Sequence, residues 1–252
     1  MNPDPEPALG AMLRKLALWA NLGDDDVTEL LNLPHRLVDV PRNKPVVREG
    51  ERVSDSWLVL SGFCVRYKFV GDGGRQILSI HMAGDLVDLQ NALLGLADHG
   101  VQTLTECRFA RIPIDAILHL TRKNAAISDA LWRDTLVDAS IHREWVANVG
   151  RRDAPTRIAH LLCEFALKLD AIGLGEQLNY ELPMTQDQLA DATGLTVVHV
   201  NRVLRALAND GLIERVTPRS VLIGSWKRLA AAGDFHPDYL HLEFLKQAAH
   251  PR

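Results

Sequence analysis

The chain has 252 residues, 47% of them hydrophobic and 24% charged, with a formal net charge of −4. That is enough apolar material for two folded domains, and it excludes a disordered polyelectrolyte. It also excludes capture of nucleic acid by bulk attraction. From Arg151 onward there are 12 Lys and Arg against 12 Asp and Glu, so any DNA contact must come from local placement of basic side chains.

Residues 1–7 read as a tail. MNPDPEPALG is acidic and proline-rich, unlike a signal peptide. No run of 18 apolar residues occurs, and the expected location is the cytoplasm. Ala8–Asn21 and Asp24–Leu33 read as helices, the second capped by Asp24. From about Val38 to Ile112 short β-branched runs alternate with glycine turns, the pattern of a compact antiparallel roll. Asp72-Gly73-Gly74 is its clearest hairpin turn. Cys64, Cys107 and Cys163 lie far apart in apolar surroundings, which suits packing rather than metal or redox chemistry.

Pro113–Leu120 returns to helix, and Asn124–Val149 reads as one long helix. Ile127, Leu131, Val137, Ile141, Trp145 and Val149 form an apolar stripe along it. A stripe on so long a helix is expected to meet the same helix of a second copy. Gly150 is expected to end that helix. Asp153 can then cap the next one, with Pro155 tolerated in its first turn.

Thr185–Ile213, TQDQLADATGLTVVHVNRVLRALANDGLI, carries the most specific pattern. Thr185 and Gln188 have capping-box spacing, and Gln186 opens the first helix. Gly194 stands where the chain must turn through the left-handed region. Thr196 caps a second helix whose inward residues are Val200, Val203, Leu204 and Leu207. Outward lie Val197, His199, Asn201, Arg202 and Arg205. Arg can hold guanine and Asn adenine, each by two hydrogen bonds. A braced helix with such residues near its start suits the major groove. Leu212–Val216 and Ser220–Ile223, joined by Thr217-Pro218-Arg219, read as a wing, with Arg219 on a phosphate.

The order of roll, long helix and winged helix-turn-helix resembles the Crp/Fnr family of bacterial transcription regulators. The resemblance rests on Leu58–Gly62, on Ala83-Gly84-Asp85-Leu86 and on Thr185–Ile213, and covers nearly the whole chain. It implies an α+β protein with three parts. Residues 1–120 form a cyclic-nucleotide-binding-like β-roll with flanking helices, 121–150 a dimerisation helix, and 151–252 a winged helix-turn-helix domain. It further implies a homodimer on palindromic double-stranded DNA, with RNA polymerase as a partner if the protein activates.

The sequence departs from the family's pattern at the effector. Members that bind cyclic AMP use a Gly-Glu pair and an Arg-Ser pair, which fall here on Asp88-Leu89 and near Ala97-Asp98. No arginine lies between Gly84 and Glu106. Asp85, Asp88 and Asp98 are thus expected to meet a cyclic phosphate without a partner cation. No cysteine precedes Cys64, so the iron–sulfur signature is missing as well, and no cofactor is expected. At the reading helix the family's Glu position is Val198, whereas its Arg position is retained as Arg202. A protein-binding adaptor is the alternative reading. A cupin-like enzyme would need a His-x-His cluster that the chain lacks, so no enzymatic activity is expected.

Overall fold

The structure is a computed structural model that describes residues 7–174, 179–214 and 220–242. These form two compact units. One contains the described residues up to Lys68 together with Ile80–Asp138, and the other Phe69–Ser79 together with the described residues from Ala139 on.

The chain opens with α1 (Gly10–Leu16) and α2 (Asp24–Leu31). The Gly23 amide, ahead of α2, donates to Asp26 Oδ2 at 2.9 Å. Eight strands follow: β1 (Arg36–Val40), β2 (Pro45–Val47), β3 (Asp55–Ser61), β4 (Cys64–Phe69), β5 (Arg75–His81), β6 (Leu86–Val87), β7 (Gly100–Thr103) and β8 (Cys107–Pro113). A short helix, α3 (Asn91–Leu94), separates β6 from β7. The strands make two four-stranded sheets, ordered β1-β8-β3-β6 and β2-β7-β4-β5. Val47, Val59, Cys64, Val87, Val101 and Phe109 fill the space between them. Gly62 turns β3 into β4 at φ +85°, where a Cβ would lie 2.2 Å from the Glu106 carbonyl oxygen, so no other residue fits.

Next come α4 (Ile114–Lys123) and α5 (Ala125–Arg151). The long helix passes through Gly150 instead of ending there. A helical glycine costs only about 1 kcal/mol against alanine, which is too little to stop a packed helix. The break comes at Asp153, whose carboxylate accepts the Thr156 amide at 3.0 Å and starts α6 (Ala154–Ala171).

The second unit continues with β9 (Asn179–Glu181), α7 (Gln186–Thr193), α8 (Val197–Asn209), β10 (Ile213–Glu214), β11 (Ser220–Ile223) and α9 (Trp226–Ala232). The expected wing pair is present as β10 and β11. The structure adds β9 to it, giving the order β10-β11-β9. The tip Thr217-Pro218-Arg219 lies outside the described residues, so Arg219 has no described position. Ile158, Leu162 and Phe165 of α6 are buried beneath these elements, and the Tyr180 hydroxyl donates to the Leu162 carbonyl at 2.9 Å.

Candidate nucleic-acid interface

Local chemistry builds the helix-turn-helix as the spacing implies. Thr185 Oγ1 accepts the Gln188 amide at 3.2 Å, and Gln188 Oε1 accepts the Thr185 amide at 2.8 Å. Gly194 ends α7 at φ +64°, and a Cβ there would sit 3.2 Å from Val149 Cγ1. Thr196 Oγ1 accepts the His199 amide at 3.3 Å and opens α8.

Val200, Val203, Leu204 and Leu207 are 4% exposed or less and fix the rotation of α8. That rotation turns Val198, Arg202 and Arg205 outward, while Val197, His199 and Asn201 are half-buried. Val198 is 80% exposed, an apolar side chain that no core claims. Val198, Asn201, Arg202, Arg205, Ala206 and Asn209 line an open concavity. Asn201 Nδ2 donates to Gln186 Oε1 and braces α8 against α7. Its carbonyl oxygen and its second amide hydrogen are not used in that bond.

The six residues expected on a dimer seam are packed within their own chain. Ile127 and Leu131 join a core with Leu9, Met12, Leu16 and Leu30. Val137, Ile141 and Trp145 are also buried. Trp145 Nε1 donates to both carboxylate oxygens of Glu164 on α6, at 2.9 and 3.1 Å. Val149 packs beside Gly194. Folding the N-terminal helices and α6 onto α5 takes up that stripe. The large apolar residues left exposed on α5 are Trp132, Leu136 and Val146.

Asp85 and Asp88 have cations after all, supplied from outside the segment that lacks arginine. Lys15 of α1 bridges Asp85 and Asp134, 2.8 Å from each. Burial opposes its charge, but the two carboxylates outweigh burial and raise its pKa. Arg66 of β4 is 3% exposed. Its Nε lies 3.4 Å from Asp88 Oδ1, and its Nη1 donates to Asp138 of α5. His99 Nε2 lies 2.6 Å from the same Asp88 oxygen, and His99 Nδ1 lies 2.6 Å from Asp98 Oδ1. Burial alone would lower the His99 pKa; the Asp88 hydrogen bond and charge overcome it and the net shift is upward, with Arg66 opposing and Asp98 adding. His81 is pushed down to about 4, first by burial and then by the Arg66 charge. Sequence reasoning missed Lys15 and Arg66. A signal existed for Arg66: it shares strand parity with the apolar Cys64, so it points into the roll.

Comparison with known proteins covers both parts of the chain. The family profile described as a cyclic nucleotide-binding domain matches residues 37–124. The profile described as a Crp-like helix-turn-helix domain matches residues 156–232. The chain is 29% identical to the transcriptional activator protein FnrL of Cereibacter sphaeroides over 194 residues, 75% of this chain and 77% of FnrL. It is 24% identical to the nitrogen fixation regulation protein FixK of Azorhizobium caulinodans over 222 residues, 88% of each. Its fold matches the structure of FixK2 from Bradyrhizobium japonicum with a TM-score of 0.72 at 21% identity, covering 79% of this chain and 98% of FixK2.

Proposed function

Because the chain belongs to the Crp/Fnr family of bacterial transcription regulators, we propose that it acts as a homodimer reading a two-fold-symmetric DNA site through α8 of each copy. The observation that carries this reading is the outward row Val198, Arg202 and Arg205 on a helix braced from behind by four buried residues. Arg202 is the base reader, Val198 touches a thymine methyl, and Arg205 holds phosphate. Thr185, Gln186, Thr196, Val197, His199 and Asn201 set the helix at the groove, with Arg219 assigned to phosphate from its place in the sequence. If the protein activates, the bound dimer meets RNA polymerase at the promoter, and the protein works in the cytoplasm.

Selection of bound sequences from random duplex DNA tests the reading. The expected product is an inverted repeat whose half-sites lie about 34–36 Å apart, one helical turn. Recovery of a single asymmetric site, or of no preferred sequence, would count against it.

The dimer seam proposed is the outward row of α5. The exposed Trp132, Leu136, Arg143 and Val146 and the half-buried Ala139 fall at 132, 136, 139, 143 and 146, intervals of four, three, four and three residues, the rhythm of a two-helix seam. Leu136 is 53% exposed in the single chain, so Leu136→Glu leaves the fold alone and puts two carboxylates into the seam. Sedimentation is expected to show dimers weakened by about 1–3 kcal/mol per copy, with thermal unfolding of the monomer unchanged. Dimers as tight as those of the wild type would remove this face from the interface.

A further inference from the structure

The roll contains one arrangement that the DNA-reading function does not use. Both ring nitrogens of His99 face carboxylates at 2.6 Å, Asp88 through Nε2 and Asp98 through Nδ1. A neutral imidazole has a single N–H, so only the imidazolium donates to both. Asp88 is fully buried, and His99 and Arg66 both approach its Oδ1. Asp98, in contrast, has a side chain 75% exposed, which opens a route for the proton to solvent. Among the described residues, Asp138 on α5, held by Arg66, His81 with Asp85, whose facing atoms lie 3.3 Å apart, and the buried Cys64 thiol also carry charge or a titratable proton near this site, and the Gln90 amide lies 3.5 Å from Asp88 Oδ1.

We propose that His99 is the regulator's proton sensor, and that it controls how one guanidinium is shared between the roll and the long helix. With His99 charged, Asp88 is neutralised by the imidazolium and Arg66 is left to grip Asp138. When the proton leaves past Asp98 to water, Nδ1 or Nε2 becomes a lone pair and the Asp98 carboxylate turns outward. Asp88 then depends on Arg66 for its counter-charge. The guanidinium moves toward Asp88 and its hold on Asp138, and so on α5, weakens. The His99 imidazolium is stabilised in the folded state, so its contribution is complete below the ordinary histidine value of 6.5 and is lost as pH rises through the higher folded value. The signal would therefore be a rise in pH above the ordinary histidine value.

This inference rests on the proposed DNA-binding function, but its first readout does not need DNA. Imidazole nitrogen and arginine Nε–H resonances of the full-length protein are followed from about pH 6 to pH 8.5, the range in which histidines titrate. The expected result is a His99 midpoint above 6.5, with Arg66 Nε–H and the α5 amides around Asp138 moving at the same midpoint. Asp98→Asn, a surface change that spares the fold, is expected to shift both to lower pH. His99→Gln is expected to abolish the Arg66 transition. Affinity for the selected duplex should fall with pH by up to about tenfold for each unit separating the His99 pKa in free and DNA-bound protein. The fall should shift with Asp98→Asn. An Arg66 resonance that stays still while His99 titrates, or a His99 midpoint indifferent to Asp98→Asn, would overturn the proposal. Absence of DNA binding at every pH would overturn the functional reading, and the resonances would still decide the proton site.

Discussion

Replacing Arg202 with alanine is expected to remove most sequence-specific DNA binding while leaving the protein folded. Arg202 is exposed on the second turn of α8 and faces away from Val200, Val203 and Leu204. No other described residue holds its guanidinium, so its removal leaves no group unsatisfied in the fold. A bidentate guanine contact is worth about 1–3 kcal/mol, so a symmetric dimer losing one in each half-site should lose about 2–6 kcal/mol. At 1.4 kcal/mol per decade that is about 30-fold to 10⁴-fold in affinity. The loss should be selective: preference at one guanine per half-site should relax, while the salt dependence changes little. Arg205→Ala should do the opposite, weakening all sequences alike and flattening the salt dependence. Titration of both variants against the selected site and its single-base variants separates the two roles. An even loss for every sequence with Arg202→Ala would show that Arg202 is an anchor and not a reader.

Lys15→Met should strongly destabilise the first unit. The Lys15 ammonium is 2.8 Å from both Asp85 and Asp134, whose side chains are only 8% and 7% exposed. Methionine keeps the length and apolar stem but leaves both carboxylates without this cation in a low-dielectric site. Removal of one partner from a buried ion pair costs about 3–5 kcal/mol, a large share of a domain's stability. Burial already raises the Asp134 pKa, and Lys15 works against that rise. Without the ammonium the carboxyl should take up a proton at higher pH still. The penalty should therefore shrink as pH falls, because a neutral acid is cheaper to bury than an anion. Urea unfolding of both proteins at neutral and acidic pH measures this. A neutral-pH loss below about 1 kcal/mol, the scale of an exposed pair, would mean that water reaches the cluster and the ion triad contributes little.

The two variants also mark where sequence reasoning worked and where it stopped. The second helix of the helix-turn-helix was legible because everything that places it is local. Its caps, its left-handed glycine and its 3.6-residue apolar period all lie within Thr185–Ile213, and together they set which side of α8 faces outward. The roll was legible for a similar reason, since glycine turns and alternating strands announce themselves within a few residues. The long helix was legible as a helix, but its stripe was assigned to the wrong neighbour. Periodicity reports that a face is apolar, not what covers it. Leu9, Met12 and Leu16 cover one end of that stripe, and Glu164 of α6 binds Trp145 further along. The exposed row of Trp132, Leu136 and Val146 became visible only once that cover was in place.

The charge network shows the same limit in another form. Asp85, Asp88 and Asp98 stand out in the sequence because they are close together. The cations of Asp85 and Asp88 come from far along the chain, Lys15 on the first helix and Arg66 on β4, and Arg66 then reaches Asp138, 72 residues away. Sequence by itself determined the elements, the turn chemistry and the orientation of α8, because these depend on backbone preferences and hydrophobic spacing over one or two turns. Only the tertiary structure decided which charges meet and which apolar face stays open. Both depend on packing between segments that the chain brings together from long range, and no local propensity encodes that choice.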